Sequence, residues 1–310
     1  MKRVITYLIL FTLSLYGIRT FHYANLLSVN EGYYDKYKTA FLKSNNYDLL
    51  ILGSSRAQMH YNTAIIDSIW NCNSFNLSYN GANIQQAFIL LKCYLAKSVP
   101  PKVLFYEMDY HVFKTHEEGW MDFQNLFAFL KDENTFDYLR SSDSRFLYAR
   151  YFPFYSLPNT GVKNFSTGMH YFFGKSLDND RLYYKGYFKN CIKPNLNYKP
   201  SDGKYQWINR TDRDYLDSLI FMCRDKGIQL NLISSPIFGG GKLDVINHTQ
   251  LMLQINNIAA LNGLRYTNYS SLPFCNQRNL FIDHHHLNAN GSVLFTRHLC
   301  QTFQMKKYNQ

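Results

Sequence analysis

Two short stretches of the 310-residue chain hold side chains that could do covalent chemistry together. The first, "LLILGSSRAQMHYN" (residues 49–62), ends an apolar run on Gly53, Ser54, Ser55 and Arg56. The second, "NLFIDHHHLNANG" (residues 279–291), places Asp283 three residues before His286. A serine hydroxyl is a poor nucleophile until a base takes its proton. A histidine can be that base, and a carboxylate three residues away along a turn can hold the imidazole in the required orientation. The pairing of a strand-end serine with a late Asp-x-x-His points to attack on an acyl carbonyl. The plainer alternative for Ser54-Ser55 is a helix-capping turn, since serine is a favoured N-cap. The run His284–His286 could suggest a metal. Consecutive histidines cannot all face one ion on regular structure, however, and no acidic or cysteine cluster accompanies them. Neither metal nor cofactor is expected.

These residues need a scaffold that brings positions 55 and 286 to one edge. Tyr47–Gly53 reads as a buried strand, Ser74–Ser78 as a short second one, and Lys102–Met108 ("KVLFYEM") as a third. Ile228–Ser234 and Arg265–Tyr269 complete the set. Between them, Ile84–Ala96, Asp212–Lys226 and His248–Leu261 have helical apolar spacing, and Ala289–Met305 ends the chain as a helix. Strands alternating with helices predict an open parallel α/β sheet with helices on both faces. In such sheets ligands gather outside the carboxyl ends of the strands, where Gly53-Ser54-Ser55 falls. Ser55 would open the next helix, where unpaired N–H groups favour negative charge. Ser28 to Asn46 reads as a polar connector. The aromatic-rich stretch from about 111 to 207, with Pro153, Pro158, Pro194 and Pro200, interrupts the alternation and reads as an insertion with structure of its own. Gly239–Gly241 lacks phosphate-loop spacing and reads as a flexible loop.

The chain carries a net charge of +11, yet its lysines and arginines are scattered and no nucleic-acid motif appears. Nucleic acid is therefore not expected as a partner, and the charge reads as an aid to solubility or to association with an anionic cell surface. The opening "MKRVITYLILFTLSLYGIRTF" has the basic start and apolar run of an export signal. No small-residue cleavage site follows, so residues 1–27 are expected to be a retained membrane anchor, with the N-terminus cytoplasmic and residues 28–310 outside. Cleavage would leave a secreted domain. The six cysteines show no metal spacing, and any disulfide pairing is illegible from sequence.

With these residues in view, the chain resembles the SGNH (GDSL-like) hydrolases and acyltransferases. "ILGSSRA" is similar to the family's first block, with Ser54 in place of its usual aspartate and Ser55 at the nucleophile position. "FNLSYNGANIQQA" is similar to the second block, whose glycine is Gly81. "VLFYEMDYH" sits where the third block belongs, and "DHHHLN" resembles the fifth. The resemblance implies a three-layer α/β/α flavodoxin-like sheet, with Ser55 as nucleophile, His286 as base and Asp283 as its orienter. The backbone N–H groups of Ser55 and Gly81 would form the oxyanion hole. The third block departs from the family: its oxyanion-binding asparagine is absent, Asp109 lies near that place, and Asn80 or Asn83 would have to supply the third donor. The serine variant of the first block resembles membrane-anchored members that modify cell-envelope polymers. The expectation is an extracytoplasmic esterase or O-acyltransferase acting on acyl, chiefly acetyl, esters of a surface carbohydrate. The alternative is a catalytically inactive module of the same fold that binds envelope glycan.

Overall fold

The structure, a computed structural model, describes residues 1–29, 32–113, 119–120, 123–174, 182–192 and 203–303. The chain opens with helices α1 (Lys2–Ser28) and α2 (Gly32–Phe41), then strand β1 (Leu49–Leu52). Helices α3 (Ser55–His60) and α4 (Thr63–Trp70) lead to β2 (Ser74–Asn76), α5 (Ile84–Leu95) and β3 (Val103–Glu107). Helices α6 (Glu133–Ser142), α7 (Arg145–Tyr151), α8 (Pro153–Asn159) and α9 (Val162–Phe172) follow. The last part holds α10 (Arg210–Asp225), β4 (Gln229–Ser234), α11 (His248–Leu261), β5 (Arg265–Asn268) and α12 (Ala289–Thr302). The chain packs as two compact units.

The larger unit comprises Asn45–Phe88, Ser98–Glu118 and Leu182–Gln310. Five of its strands form an all-parallel sheet in the order β2-β1-β3-β4-β5, an α/β fold with flavodoxin-like topology. From β1 the chain goes first to one side and then to the other. The carboxyl ends of β1 and β3 therefore flank the crevice where such folds bind ligands. On one face Leu49, Ile51, Val103, Phe105 and Ile233 pack with Ala57, Ile66, Phe295 and Leu299 from α3, α4 and α12, and with Tyr61 between α3 and α4. The alternate residues Leu50, Leu52, Leu104, Tyr106, Leu230 and Leu232 are buried as well. Strand side chains alternate between faces, so both faces are covered, which is why these strands read as continuous apolar runs. Each such side chain contributes roughly 1.5–3 kcal/mol by leaving water.

The second unit comprises Met1–Ser44, Ile89–Lys97 and Gly119–Arg181 and is helical. The segment expected to be a polar connector instead contains α2. Tyr34, Tyr37, Ala40 and Phe41 recur at three- and four-residue spacing and are buried, with the Tyr37 and Phe41 rings against Phe129. The middle of the expected insertion, residues 133–172, takes the form of α6–α9. Asp132 caps α6 through the Thr135 N–H at 2.9 Å, and Pro153 starts α8 where its missing N–H costs nothing. Gly168 lets α9 approach α1, since a Cβ there would stand 3.2 Å from the His22 ring. Helix α1 is 27 residues long and apolar enough to cross a membrane. Gly239–Asp244 forms a 3-10 turn where a loop was expected. Helix α4, capped by Asn62, was not foreseen. Pro194, Pro200 and the expected helix end at Met305 lie outside the described residues.

Candidate active site

Strand β1 delivers its last residues into a tight elbow. Gly53 has φ +148°, and a Cβ there would fall 2.7 Å from Glu107 Cβ and 2.8 Å from Ala57 Cβ, so no larger residue fits. Ser54 is the N-cap of α3, and its hydroxyl accepts from the Arg56 N–H at 3.4 Å. The capping alternative is thus the role of Ser54, and Ser55 is released from it. Ser55 occupies the first position of α3, where the backbone N–H has no carbonyl partner within the helix. Ser55 as a whole is 9% exposed.

The DHHH turn meets this elbow. Ser55 Oγ lies 2.8 Å from His286 Nε2, across 231 residues of sequence. On the other side of the ring, His286 Nδ1 is 2.8 Å from Asp283 Oδ2. Asp283 Oδ1 also accepts the backbone N–H groups of His285 (2.7 Å) and His286 (2.8 Å). Burial works against ionisation of Asp283. The His286 hydrogen bond and charge, with the two backbone N–H groups, outweigh it and hold the carboxyl well below the usual range. An ionised Asp283 can only accept, so Nδ1 carries the ring proton and Nε2 is left to accept from Ser55. The three histidines have separate surroundings. His285 Nε2 is 2.7 Å from Asp244, and His284 packs its ring against Phe238. Among the described residues no group of three or more His, Cys, Asp or Glu side chains is placed to hold a metal.

Gly81 sits at the third position of a turn closed by the Ala82 N–H to Tyr79 C=O bond at 3.0 Å, with φ +70°. Positive φ at that position alone defines a type II turn, which glycine favours. The Tyr79 N–H donates to Gly53 C=O at 3.1 Å and ties this turn to the serine elbow. Asn83 and Gln86 cap α5 reciprocally: the Gln86 N–H donates to Asn83 Oδ1 at 3.0 Å and the Asn83 N–H to Gln86 Oε1 at 3.2 Å. That commits the Asn83 carbonyl and leaves its amide NH2 as the donor half. Asn80 is the partly exposed residue before Gly81. Asp109 is 1% exposed with both oxygens engaged, Oδ2 by the Ser54 hydroxyl at 2.5 Å and Oδ1 by the His111 N–H at 2.7 Å.

Behind the serine lies a buried polar network that sequence reasoning did not find. The Leu287 N–H donates to His60 Nε2 at 2.9 Å, so the neutral ring keeps its proton on Nδ1. Nδ1 is 2.7 Å from Ser235 Oγ, which in turn donates to Glu107 Oε1 at 2.7 Å. Tyr61 donates to Glu107 Oε2 at 2.5 Å, and Arg56 lies 3.5 Å from Oε1. Arg56 also donates to the Ser235 carbonyl at 2.6 Å. Burial, then the Arg56 charge, push His60 well below its ordinary value. Burial raises Glu107, against the pull of Arg56. Arg56 has two possible uses, greeting an anionic substrate or pairing with a carboxylate. It is 4% exposed and pairs with Glu107. The only sequence signal for this network was a glutamate at the end of an otherwise apolar strand.

No family model and no curated protein matches the chain. Among solved structures, one similar chain is a protein of Bacteroides fragilis NCTC 9343 described as a "putative acylhydrolase". It is 11% identical, with a TM-score of 0.42, over 86% of this chain and 91% of that one. At that level the likeness says nothing about chemistry, and the site stands on its own geometry.

Proposed function

We propose that this protein is a serine esterase or O-acyltransferase of the SGNH (GDSL-like) superfamily, acting on acyl, chiefly acetyl, esters of a cell-surface carbohydrate. The observation that carries this reading is the unbroken series Ser55 Oγ, His286 and Asp283, with 2.8 Å at each step. In the first half-reaction the Ser55 proton moves to His286 Nε2 as Oγ bonds to the acyl carbon. The N–H groups of Ser55 and Gly81, with Asn83 as third donor, take the oxyanion. Collapse breaks the ester bond, and His286 returns its proton to the departing alcohol. Water or a sugar hydroxyl then loses its proton to His286 and attacks the acyl carbon, which frees Ser55. Asp283 holds the imidazole throughout.

The basic start and apolar length of α1 support a retained anchor with the remaining chain on the outer side of the membrane. The carbohydrate substrate rests on that location and on the resemblance of the serine elbow to envelope-modifying members. A fluorophosphonate probe should label the wild type and spare a Ser55→Ala variant of unchanged melting temperature. Equal labelling of both would reject Ser55 as the nucleophile. No labelling of either, with glycan binding intact, would favour the inactive binding module. Loss of the acyl group into buffer alone marks a hydrolase, and loss only on addition of a glycan acceptor marks a transferase.

A further inference from the structure

Helices α8 and α9 bury polar side chains and expose aromatic ones along much of their length, although Asn159 and His170 are exposed in the ordinary way. Their polar side chains Ser156, Asn164 and Thr167 are buried, with Thr160 beside them, whereas Phe154, Phe165 and Phe172 are exposed. Asn164 donates inward to Asn125 at 2.7 Å, and the Thr160 hydroxyl bonds the Ser156 carbonyl at 2.8 Å. A helix in water does the reverse, and buried polar groups beside exposed aromatic ones are the informative exception. Neighbouring positions extend the surface: Tyr148, Phe152 and Phe173 are 48%, 52% and 66% exposed.

This surface surrounds one half of α1. From Lys2 to Leu10 every residue of α1 is exposed. Neighbours begin at Phe11, whose ring is 6.0 Å from Phe154, and continue with Tyr16, which donates to the Tyr151 carbonyl at 2.5 Å. Phe21 meets Phe172 at 5.2 Å, and His22 meets Phe165 at 5.3 Å. At 1.5 Å per residue, the free stretch from Lys2 to Leu10 covers only about 14 Å. A bilayer core is about 30 Å thick. If α1 crosses it, the crossing must include the stretch gripped by α8 and α9.

We infer that α8 and α9, with the end of α7, are seated in the outer leaflet of the bilayer around α1, their aromatic side chains facing lipid. The inference rests on the reading of α1 as a spanning helix. It makes the anchor a collared unit, not a lone tether. Aromatic rings suit the boundary between headgroups and acyl chains. Arg19 fits the same depth, since its guanidinium lies over the Tyr16 ring and donates to the Arg150 carbonyl at 2.9 Å.

The test uses the full chain in phosphatidylcholine vesicles, with bromine carried either near the glycerol end or near the tips of the acyl chains. Single variants Leu8→Trp, Phe154→Trp and Phe173→Trp are read as added tryptophan emission over the wild type. Seated helices predict loss of the added emission for all three, with Phe173→Trp quenched best by the shallow bromines and Phe154→Trp by deeper ones. Quenching of Leu8→Trp alone would overturn the collar while leaving the anchor. No quenching of any of the three would remove the spanning helix and the collar with it.

Discussion

The Ser54 hydroxyl donates to Asp109 Oδ2 at 2.5 Å, joining the residue after β1's glycine elbow to the loop after β3. Asp109 therefore reaches the site as a clamp on the residue before Ser55, with its second oxygen held by the His111 N–H. Replacing it by alanine strands the buried Ser54 hydroxyl and the half-buried His111 N–H. Asp109→Ala should lose about 3 kcal/mol in urea denaturation, and Asp109→Asn, which keeps one acceptor oxygen, distinctly less. Equal stability of the alanine variant and the wild type would show that the clamp is idle.

In the proposed reaction Asp283 acts through the tautomer of His286. In Asp283→Asn the amide can donate toward Nδ1, which turns the ring proton to Nε2 and leaves Ser55 facing a donor. The kcat for a chromogenic acetyl ester should fall about 10⁴-fold with KM little changed. A fall of less than about tenfold would mean that orientation of His286 does not depend on the carboxylate.

What could be read from the sequence was what is local. Strand β1 is four apolar residues stopped by a glycine, and Ser55 and His286 stand out because few other residue types suit a proton relay. The strands and main helices were legible within a few residues for the same reason. Helix α2 was not, because its tyrosines are interspersed with Asp35, Lys36 and Lys38 and the average looks polar. The partners of Arg56 were hidden by distance: Glu107 and Ser235 come from two different strand ends, and only the folded sheet brings them to α3. The inverted polarity of α8 and α9 was equally invisible, since sequence shows that aromatic residues are present but not which way they face.

Glu107 is the common acceptor of that hidden network. Glu107→Ala leaves the Arg56 charge, the Ser235 N–H and the Tyr61 hydroxyl without it. The expected loss is about 3–5 kcal/mol by denaturant titration, because a buried charge remains unpaired. Glu107→Gln keeps an acceptor oxygen and should lose clearly less.

Stability should also fall in mild acid, and its sign follows from two histidines. Burial, with the Arg56 charge, holds His60 well below its ordinary 6.5 and brings His285 down to about 4 despite Asp244. In the unfolded chain both bind protons below 6.5, whereas the folded protein keeps them neutral. Their contribution is therefore complete above pH 6.5 and is lost as pH falls from 6.5 toward 4, by up to about 1.4 kcal/mol per pH unit for each ring. Melting temperatures across that range should drop less steeply for His285→Gln than for the wild type. Identical slopes would mean that His285 titrates alike in both states.

The direct measurement is to trap the acyl-enzyme. After rapid mixing with an activated acetyl ester and acid quench, peptide mass spectrometry should find the acetyl mass on the peptide containing Ser55. It should vanish in Ser55→Ala and accumulate far more slowly in His286→Ala. An acetyl group on a different residue, or undiminished acylation of the Ser55→Ala protein, would contradict the assignment of Ser55 as the nucleophile.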